Sequence, residues 1–542
     1  MMIYNIKEEH QHLKEVDNMG DYVNPGTDKF QMSLNSEIYV DKSHLIAKTN
    51  ALFRTERRFI CISRPRRFGK TMAANMLAAY YGVDDDASIW FENLAITKHP
   101  SYEKHLNKHN VIMINMQEFI SRTGSVTQML KVLQSKVIKE LQKVYPEIEY
   151  DDINDFIQVM KDIYRATKRP FVILIDEWDC LFREYKDDKD SQKDYLDFLR
   201  LWLKDQAYVG LAYMTGILPI KKYGSHSALN MFGEYSMIDP GRFLDYFGFR
   251  DFEVGELCTN YDVDFEEMKK WYNGYFIEMG TPILNPTSVS RSLENKKFAS
   301  YWNKTETYEA LKDYIKLNFD GLKDKITQML VGESITIETD SFANDMTTFD
   351  NADDVLTLLV HLGYLTYNFE DKTVTIPNTE VRAEFVTAIK SLKWNHVVDA
   401  IRDSQKLLQA IWNQETDVVA EGIQRVHEQN TSILAYNDEN ALSCVLSLAL
   451  YTANDYYTII RELPAGKGYA DLVFIPRKKH HDKPAIIVEL KWDKNAKDAI
   501  AQIKDKHYSS ALDEYQGNVL LAGISYNKET KIHECMIETL EM

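Results

Sequence analysis

The sequence of 542 residues has few cysteines, no long apolar run and no recognisable leader. Its five cysteines are scattered singly, so a Cys-x-x-Cys zinc or redox site is excluded, and the odd count indicates a reducing compartment. No apolar run approaches the roughly 18 residues of a membrane-spanning helix. The first residues lack the basic, apolar and small-residue progression of a secretory signal. We therefore expect a cytoplasmic protein with no membrane partner.

The charge of the chain is strongly acidic and unevenly distributed. There are 64 Lys and Arg against 82 Asp and Glu, a formal net charge of −18, which argues against nonspecific coating of nucleic acid. Residues 461–510, however, contain 11 Lys and Arg, 7 Asp and Glu and three histidines. This local basic excess fits a nucleic-acid site confined to one domain, and it equally fits a solvated basic face.

A phosphate-binding loop is predicted between a strand-like run, Phe59–Ser63, and a helical run, Met72–Tyr80. Strand, tight loop, Gly-Lys-Thr and helix bring backbone N–H groups and a helix N-terminus around a polyphosphate. Lys70 would contact the β- and γ-phosphates, and the Thr71 hydroxyl would hold Mg²⁺. Arg64 stands where the usual G-x-x-x-x-G-K-[ST] pattern has its first glycine. The predicted nucleotide-binding residues of the loop are Arg64, Pro65, Arg66, Arg67, Phe68, Gly69, Lys70 and Thr71.

A second predicted strand, Phe171–Ile175, ends in the carboxylates of Asp176 and Glu177. Its apolar, β-branched composition is typical of a central parallel strand. Asp176 would lie beside the phosphate loop and hold Mg²⁺, and Glu177 would orient or polarise the attacking water. For this segment alone, an ordinary strand followed by a polar loop is the alternative. A third predicted strand, Val209–Gly216, contains Thr215, whose hydroxyl could sense the γ-phosphate.

Two strand-like runs near the C-terminus carry another set of candidate residues. Asp471 lies in the first run, and Glu489 and Lys491 lie in the second, where strand alternation puts both on one face. Two carboxylates and a backbone carbonyl form a hard oxygen site for Mg²⁺, and the lysine would position a water or stabilise developing charge. The alternative is a surface ion pair on an edge strand. The side chains that a following amphipathic helix would add are Gln502, Lys506 and Tyr508.

Several motifs together resemble one known family. They are SRPRRFGKT (63–71), FVILIDEWD (171–179), MTGI (214–217), WYNGY (271–275), NPTSV (285–289), GYADLVF (468–474), IIVELKW (486–492) and AIAQIKDKHY (499–508). From about residue 39 to about residue 532 the chain is similar to bacterial AAA-ATPase-like proteins with a C-terminal PD-(D/E)XK nuclease-like domain. The absence of the first glycine belongs to that family's pattern.

The resemblance implies a role for each matching residue. The assignments are Lys70 and Thr71 for nucleotide and Mg²⁺, Asp176 and Glu177 as Walker B carboxylates, Asp471, Glu489 and Lys491 as nuclease residues, and Glu439 (metal) and Gln502 (catalytic) as accessory positions. The implied fold class is α/β: a parallel P-loop NTPase sheet, a helical and winged-helix middle region, and a restriction-endonuclease-like C-terminal domain. The predicted segments are 1–35 (N-terminal extension), 36–255 (AAA-like ATPase core), 256–340 (helical lid), 341–395 (winged-helix-like), 396–430 (helical linker) and 431–542 (nuclease-like domain).

The winged-helix segment is not basic, so we favour a structural role for it over DNA binding. The leading hypothesis is an ATPase coupled to a Mg²⁺-dependent nuclease, with ATP and Mg as cofactors and nucleic acid, DNA in preference to RNA, as the partner of the C-terminal domain. Arg64, Arg66 and Arg67 would contact phosphate, unless one of them acts on a neighbouring subunit of a homo-oligomer. One alternative is a nucleotide-dependent switch whose nuclease-like domain binds nucleic acid without cutting it. Another is a phosphotransferase or metabolic NTPase, against which the basic C-terminal domain argues.

Overall fold

The structure is a computed structural model that describes residues 20–83, 86–220, 229–277, 281–302, 307–344, 346–430, 439–465, 468–505 and 518–540. The chain forms two compact units. The first consists of residues 1–301 and 337–372, and the second of residues 302–336 and 373–542. The finer six-segment division expected from the sequence stays a prediction.

The strands of both units follow the apolar runs of the sequence. In chain order they are β1 (Phe59–Ser63), β2 (Asn110–Asn115), β3 (Phe171–Asp176), β4 (Val209–Gly216), β5 (Gly233–Tyr235), β6 (Phe249–Arg250), β7 (Tyr275–Ile277), β8 (Thr281–Leu284), β9 (Ile335–Thr336), β10 (Thr366–Asn368), β11 (Thr373–Thr375), β12 (Tyr457–Ala465), β13 (Gly468–Pro476), β14 (Ala485–Trp492), β15 (Val519–Asn527) and β16 (Ile532–Thr539).

The α-helices occupy most of the remaining described chain. They are α1 (Asp28–Leu34), α2 (His44–Asn50), α3 (Lys70–Tyr81), α4 (Ser88–Phe91), α5 (Tyr102–His105), α6 (Met116–Arg122), α7 (Val126–Val144), α8 (Phe156–Thr167), α9 (Cys180–Glu184), α10 (Lys189–Leu203), α11 (Asp251–Tyr261), α12 (Phe265–Tyr272), α13 (Pro286–Asn295), α14 (Thr307–Lys316), α15 (Leu322–Leu330), α16 (Ala352–Leu362), α17 (Thr379–Ser391), α18 (Asn395–Trp412), α19 (Thr416–Asn430), α20 (Glu439–Ala449), α21 (Ala453–Tyr456) and α22 (Ala496–Asp505). None of the helices in these ranges has the length and apolar composition needed to cross a bilayer.

Many helices begin at a side chain that accepts a hydrogen bond from their first turn. Asp155 caps α8 in this way, and Asn285 caps α13, which also has Pro286 in its first turn. Such caps satisfy N–H groups that have no partner within the helix. The other capping side chains of this kind are Asn115, Ser125, Asp188, Asp264, Asn351 and Asn378.

The first unit is built on a parallel five-stranded sheet with the order β2-β3-β4-β1-β5. The register aligns Asn115 with Asp176, and Ile62 with Thr215. Since all five strands run in the same direction, their carboxyl ends form one edge. β4 is inserted between β1 and β3, although it is the fourth strand in the chain.

Apolar layers cover both faces of this sheet. Alternate strand residues, such as Cys61 and Ile173, pack with α6–α10 in an apolar cluster on one face. Their neighbours Ile62 and Val172 pack with α2 and α3 in an apolar cluster on the other face. This alternation is the period-2 pattern of a strand buried on both faces. The rest of the first unit includes an antiparallel sheet, β6-β8-β7, with an apolar cluster shared with α11–α13.

The second unit is built on a mixed sheet with the order β12-β13-β14-β15-β16. β14 and β15 are parallel, and the other neighbours are antiparallel. The apolar face of α22, including Ile500 and Ile503, packs with Ile487 and Leu521 of the two central strands. The predicted linker 396–430 is helical, as α18 and α19.

The predicted winged-helix-like segment, 341–395, contains α16, β10 and β11, and β11 pairs antiparallel with β9. The winged-helix assignment itself stays a prediction. The broader fold class expected from the sequence is confirmed: an α/β protein with a parallel sheet in its first unit and a mixed α/β sheet in its second.

Candidate functional sites

The predicted phosphate loop connects the carboxyl end of β1 to the first turn of α3. Gly69 precedes the helix with φ of 89°, and Arg67 has φ of 70°. A glycine adopts this left-handed conformation without the steric cost that a Cβ brings. The loop therefore turns sharply, so that the N-terminus of α3 faces the edge formed by the ends of the parallel strands.

Lys70 is folded over the loop that precedes it. Its Nζ donates to the backbone oxygens of Arg64 and Pro65, each at 2.9 Å, and the residue is 5% exposed. Burial lowers the pKa of Lys70, although the carboxylates of Glu177 and Asp176 oppose the shift. The ammonium thus lies against the loop that precedes α3, and its phosphate contact stays a prediction.

Arg64, which replaces the first glycine of the usual pattern, is fully buried. Its Nη1 donates to the backbone oxygens of Ser63 at 2.9 Å and Tyr235 at 2.8 Å, and its guanidinium lies 5.5 Å from the centroid of the Phe247 ring. Burial lowers the pKa of Arg64 to about 10. The side chain therefore ties the loop to β5, and its phosphate contact stays a prediction.

Other loop side chains also contact the surrounding protein. Nη1 of Arg67 donates to the backbone oxygen of Tyr301 at 2.7 Å. Phe68 is 1% exposed, and its ring meets that of Tyr275 edge-on at 5.3 Å. Pro65 is buried and Arg66 is half-buried. These contacts hold the loop in place. The nucleotide contacts expected for Pro65, Arg66, Arg67 and Phe68 stay predictions.

Asp176 connects the ends of β3 and β4 to the first turn of α3. Its Oδ2 accepts a hydrogen bond from the Thr71 hydroxyl at 2.7 Å, and its Oδ1 accepts one from the Thr215 hydroxyl. Asp176 is 1% exposed, and Oδ1 also accepts from the Glu177 N–H at 3.1 Å. Three residues chosen separately from the sequence thus meet in one hydrogen-bonded group, because β4 lies between β1 and β3.

Glu177 follows in a left-handed conformation, with φ of 54°, and its Oε2 forms an ion pair with Arg183. Arg183 also lies 3.7 Å from Oδ2 of Asp179, which is fully buried. Burial disfavours the charge of Arg183, but Asp179 and Glu177 outweigh that effect and raise its pKa. Burial likewise raises the pKa of Asp179, against the effect of Arg183. Neither Arg183 nor Asp179 was predicted from the sequence to belong to this site.

The donor set around Thr71 and Asp176 fits a Mg²⁺-bound nucleotide. A hydroxyl and a carboxylate oxygen 2.7 Å apart are the hard ligands that Mg²⁺ prefers, and the N-terminus of α3 and Lys70 supply positive potential for phosphate. Thr71 and Asp176 would hold the ion directly or through its waters.

In the second unit, Asp471 and Glu489 come from neighbouring antiparallel strands. The register pairs Leu472 with Val488, which makes Asp471 and Glu489 the next opposed positions. Oδ2 of Asp471 accepts a hydrogen bond of 2.6 Å from the backbone N–H of Leu490. The two residues therefore occupy neighbouring positions on the same face of the sheet.

Glu489 is 1% exposed and Lys491 is 7% exposed. Nζ of Lys491 donates to Oε1 of Glu489 at 2.8 Å and to the Leu490 oxygen at 3.0 Å. Nε2 of Gln502, on α22, donates to the same Oε1. The pair is buried and hydrogen-bonded, so these residues do not form the surface ion pair considered as the alternative.

The donor set of Asp471 and Glu489, with the Leu490 carbonyl, also fits Mg²⁺ by its chemistry. Glu439 is the first residue of α20, and its side chain lies outside the described part of the chain. Lys506 and Tyr508 also lie outside the described residues. Among the residues that are described, no group of three or more His, Cys, Asp or Glu side chains forms a metal cluster.

The exposed aromatic side chain of Tyr469 near this site was also not predicted from the sequence. Tyr469 is 61% exposed and precedes Asp471 by two residues on β13, so the two share a face of the strand. An exposed tyrosine in a strand is not distinguishable in sequence from a buried one, because both fit the apolar pattern. A nucleobase can stack on such a ring.

Comparisons with known proteins identify two domain families in the chain. A family described as predicted AAA-ATPase, AAA-ATPase-like, matches residues 25–225, and the PD-(D/E)XK nuclease superfamily matches residues 437–535. A curated relative, an uncharacterized protein in the vnfD 5′ region of Azotobacter chroococcum mcd 1, is 24% identical over 260 residues. The match covers 47% of this chain and 48% of that relative, so the chain spans about half the length of the relative it matches.

Two solved structures share low similarity with the chain. The Aeropyrum pernix ORC2 protein, solved in ADPNP-ADP complexes, is 8% identical, with a TM-score of 0.26 over 67% of this chain and 93% of that chain. The Aeropyrum pernix ORC1 protein, solved in complex with DNA, is 9% identical, with a TM-score of 0.22 over 83% of this chain and 94% of that chain. TM-scores of this size do not establish a common fold.

The two matched ranges span the predicted phosphate loop, Asp176 and Glu177, and Asp471, Glu489 and Lys491. The family expected from the sequence motifs is therefore confirmed. The chain contains an AAA-ATPase-like domain over residues 25–225 and a domain of the PD-(D/E)XK nuclease superfamily over residues 437–535.

Proposed function

We propose that the protein hydrolyses ATP in its first unit and cleaves nucleic-acid phosphodiesters in its second, both with Mg²⁺. The observation that carries the proposal is the group of Asp471, Glu489, Lys491 and Gln502, because it distinguishes this chain from an ATPase with a passive C-terminal domain. These polar side chains come from two strands and a helix, and Glu489 is almost fully buried. Burying a carboxylate and an ammonium is costly, and active sites are where such groups concentrate.

For nucleotide hydrolysis, each residue has a defined part. Lys70 and the backbone of the loop bind phosphate, and Thr71 and Asp176 would hold a Mg²⁺ ion, which would supply positive charge for the phosphoryl group. Glu177 orients the attacking water and accepts its proton. Thr215 reports on the terminal phosphate through Asp176, to which its hydroxyl is bonded.

For phosphodiester cleavage, Asp471 and Glu489 would hold a divalent ion, whose contribution would be to lower the pKa of water at the site. Lys491 lies on the same strand face as Glu489 and neutralises charge that develops on the phosphate. Gln502 fixes the orientation of the Glu489 carboxylate by donating to Oε1. Tyr469 stacks on a base of the bound strand, a contact that fits DNA or RNA. We propose DNA as the substrate, because a domain of the nuclease superfamily is joined to an ATPase.

The test is a matched set of variants assayed for both activities. Purified wild-type protein, Lys70→Ala, Glu489→Ala and the surface control Lys406→Ala are incubated with Mg²⁺ and single- or double-stranded DNA or RNA, with and without ATP. We expect Lys70→Ala to lower nucleotide hydrolysis, and Glu489→Ala to lower cleavage, by about 10²-fold or more. Lys406, whose side chain is 86% exposed, is expected to be neutral.

EDTA is expected to abolish both activities. Wild-type protein that cleaves none of these substrates would contradict the nuclease half. Cleavage that persists undiminished in Glu489→Ala would contradict the assignment of the site.

A nucleotide-dependent switch that binds nucleic acid without cutting it remains a second candidate. It is favoured by the exposed basic turn after β13, which contains Lys478 and Lys479. Arg477 anchors this turn by donating to the backbone oxygen of Tyr457 at 3.1 Å. Under this alternative, Lys478→Ala with Lys479→Ala weakens ATP-dependent retention of DNA, Lys491→Ala leaves retention unchanged, and no cleavage product appears with any variant.

A further inference from the structure

The ends of β1, β3 and β4 are connected by a network that the proposed chemistry does not use. Its centre is Asp179, which is fully buried and lies in the turn between β3 and α9. Oδ2 of Asp179 accepts hydrogen bonds from the backbone N–H groups of Ile217 at 3.0 Å and Leu218 at 2.8 Å. These two residues directly follow β4, so the carboxylate is fixed by main-chain atoms rather than by mobile side chains.

The same strand end is bonded to the other two. The Trp178 N–H donates to the Thr215 oxygen at 3.0 Å, and the Arg64 N–H donates to the Gly216 oxygen at 3.1 Å. The Ser63 hydroxyl donates to the Leu218 oxygen at 2.9 Å. The start of the phosphate loop, the Walker B turn and the end of β4 therefore form one hydrogen-bonded body.

Arg183 connects this body to Glu177. Its side chain is 11% exposed and forms ion pairs with both Asp179, which is 0% exposed, and Glu177, which is 23% exposed. The ion pair with Glu177 uses Oε2. Glu177 therefore keeps a partly exposed carboxylate while one of its oxygens is held by a cation whose own position is fixed through Asp179.

We propose that Arg183 is a positioning residue for nucleotide hydrolysis, which holds the Glu177 carboxylate in the orientation needed for the attacking water. This inference rests on the proposed hydrolysis of ATP by the first unit. The backbone of Glu177 is left-handed, a conformation that costs energy in a non-glycine residue and is retained only where surrounding contacts enforce it. A water-orienting carboxylate that is misplaced by about 1 Å loses up to about 10²-fold in rate.

The experiment compares Arg183→Met and Arg183→Lys with wild type, and Arg165→Met serves as the matched control. Arg165 also pairs with two carboxylates, Asp151 and Asp162, but its side chain is 61% exposed. We expect Arg183→Met to lower kcat at least about tenfold, with KM and nucleotide Kd within about twofold of wild type. Arg183→Lys, which keeps the charge, is expected to recover part of kcat, and Arg165→Met to match wild type.

A double-mutant cycle separates positioning through Glu177 from a general effect on structure. In a Glu177→Gln background, which removes the carboxylate, adding Arg183→Met is expected to change kcat by less than about twofold. A further tenfold fall in that background would overturn the inference, because Arg183 would then not act through Glu177. Wild-type kcat in Arg183→Met would overturn it as well.

Folding and the underlying activity are controlled separately. Arg183→Met leaves the Asp179 carboxylate buried without its cation, and this variant could fail to fold for that reason. The double variant Asp179→Asn with Arg183→Met removes both charges. It is used for the kinetic measurement if the single variant does not fold. It too is expected to show lowered kcat with unchanged nucleotide Kd, and wild-type kcat would overturn the inference. A wild-type protein without nucleotide hydrolysis defeats the proposed function itself, whereas an active wild type with an equally active Arg183→Met defeats only the role of Arg183.

Discussion

At the scale of single residues, the first site is organised by hydrogen bonds at the carboxyl ends of β1, β3 and β4. Asp176 accepts hydrogen bonds from Thr71 and Thr215, and Asp179 accepts two from the main chain. Arg64 replaces a glycine, yet its side chain fits because it extends away from the loop and donates to Tyr235. A residue at a motif position can therefore serve the architecture of the loop as well as its ligand.

Gly216 provides a prediction at this scale. A Cβ at this position would lie 2.7 Å from Oδ1 of Asp179 and 2.7 Å from the Trp178 ring. Because both neighbours are fully buried and cannot move aside easily, we expect Gly216→Ala to lower the free energy of unfolding by about 1–3 kcal/mol. Urea unfolding measures the change. The control is Gly124→Ala, where a Cβ would meet nothing within 4 Å, and equal stability losses in the two variants would contradict the prediction.

At the scale of elements, the packing of α19 against β16 includes a buried pair of histidines. Nδ1 of His427 lies 3.2 Å from Nε2 of His533, and both residues are 4% exposed. One nitrogen must donate and the other must accept, so the contact requires at least one neutral ring. Burial lowers the pKa of each histidine to about 4, and His427 further lowers that of His533.

These shifts predict an acid-sensitive second unit. In the unfolded chain both histidines titrate near pH 6.5, so between pH 6.5 and pH 4 the unfolded state binds more protons than the folded state. Stability is therefore fully present above pH 6.5 and is lost as the pH falls toward 4, by on the order of a few kcal/mol for the pair.

Chemical unfolding followed at several pH values measures this dependence. Replacing His427 and His533 together by leucine removes the titrating groups while keeping the site apolar, and the slope of stability against pH should become shallower over this interval. The surface variant His481→Leu is the matched control, because His481 is exposed. A slope unchanged by the double replacement would show that other groups cause the acid sensitivity.

At the scale of the whole molecule, the chain joins two units with separate sheets and separate candidate sites. Proteins of this kind need not unfold in one step, and a ligand stabilises the unit that binds it. Each site can therefore be examined through the stability of its own unit.

We expect Mg²⁺ with ATP to raise the unfolding temperature of the first unit. At a nucleotide concentration of 100 times Kd the stabilisation is about 2.7 kcal/mol, whatever the chemistry that follows. Differential scanning calorimetry measures it, and Lys70→Ala is expected to remove it because the ammonium that binds phosphate is lost. Glu489→Ala, in the second unit, is the control that should retain it. A shift that is equally large in Lys70→Ala would contradict the assignment of Lys70.

Much of the fold and of both sites could be predicted because their signals are local. The apolar runs that became β1, β3 and β14 are long, and each is followed or occupied by residues of a recognisable motif. Strand alternation was sufficient to predict that Glu489 and Lys491 share a face, as their 2.8 Å contact bears out. The exposure of Tyr469 was not predicted, because exposure depends on neighbours that are distant in sequence.

The amino-acid sequence alone was enough to select the residues that we predict to bind phosphate, hold Mg²⁺ or transfer a proton, because those predictions rest on side-chain chemistry and short spacing. Which strands lie side by side depended on the folded chain, since β4 enters the sheet between β1 and β3 and brings Thr215 to Asp176. The same packing places Arg183 in ion pairs with Glu177 and Asp179. It also places the Arg64 side chain where it donates a hydrogen bond to β5. Contacts between distant segments follow from the burial of apolar layers on both faces of a sheet, and no short pattern in the sequence encodes them.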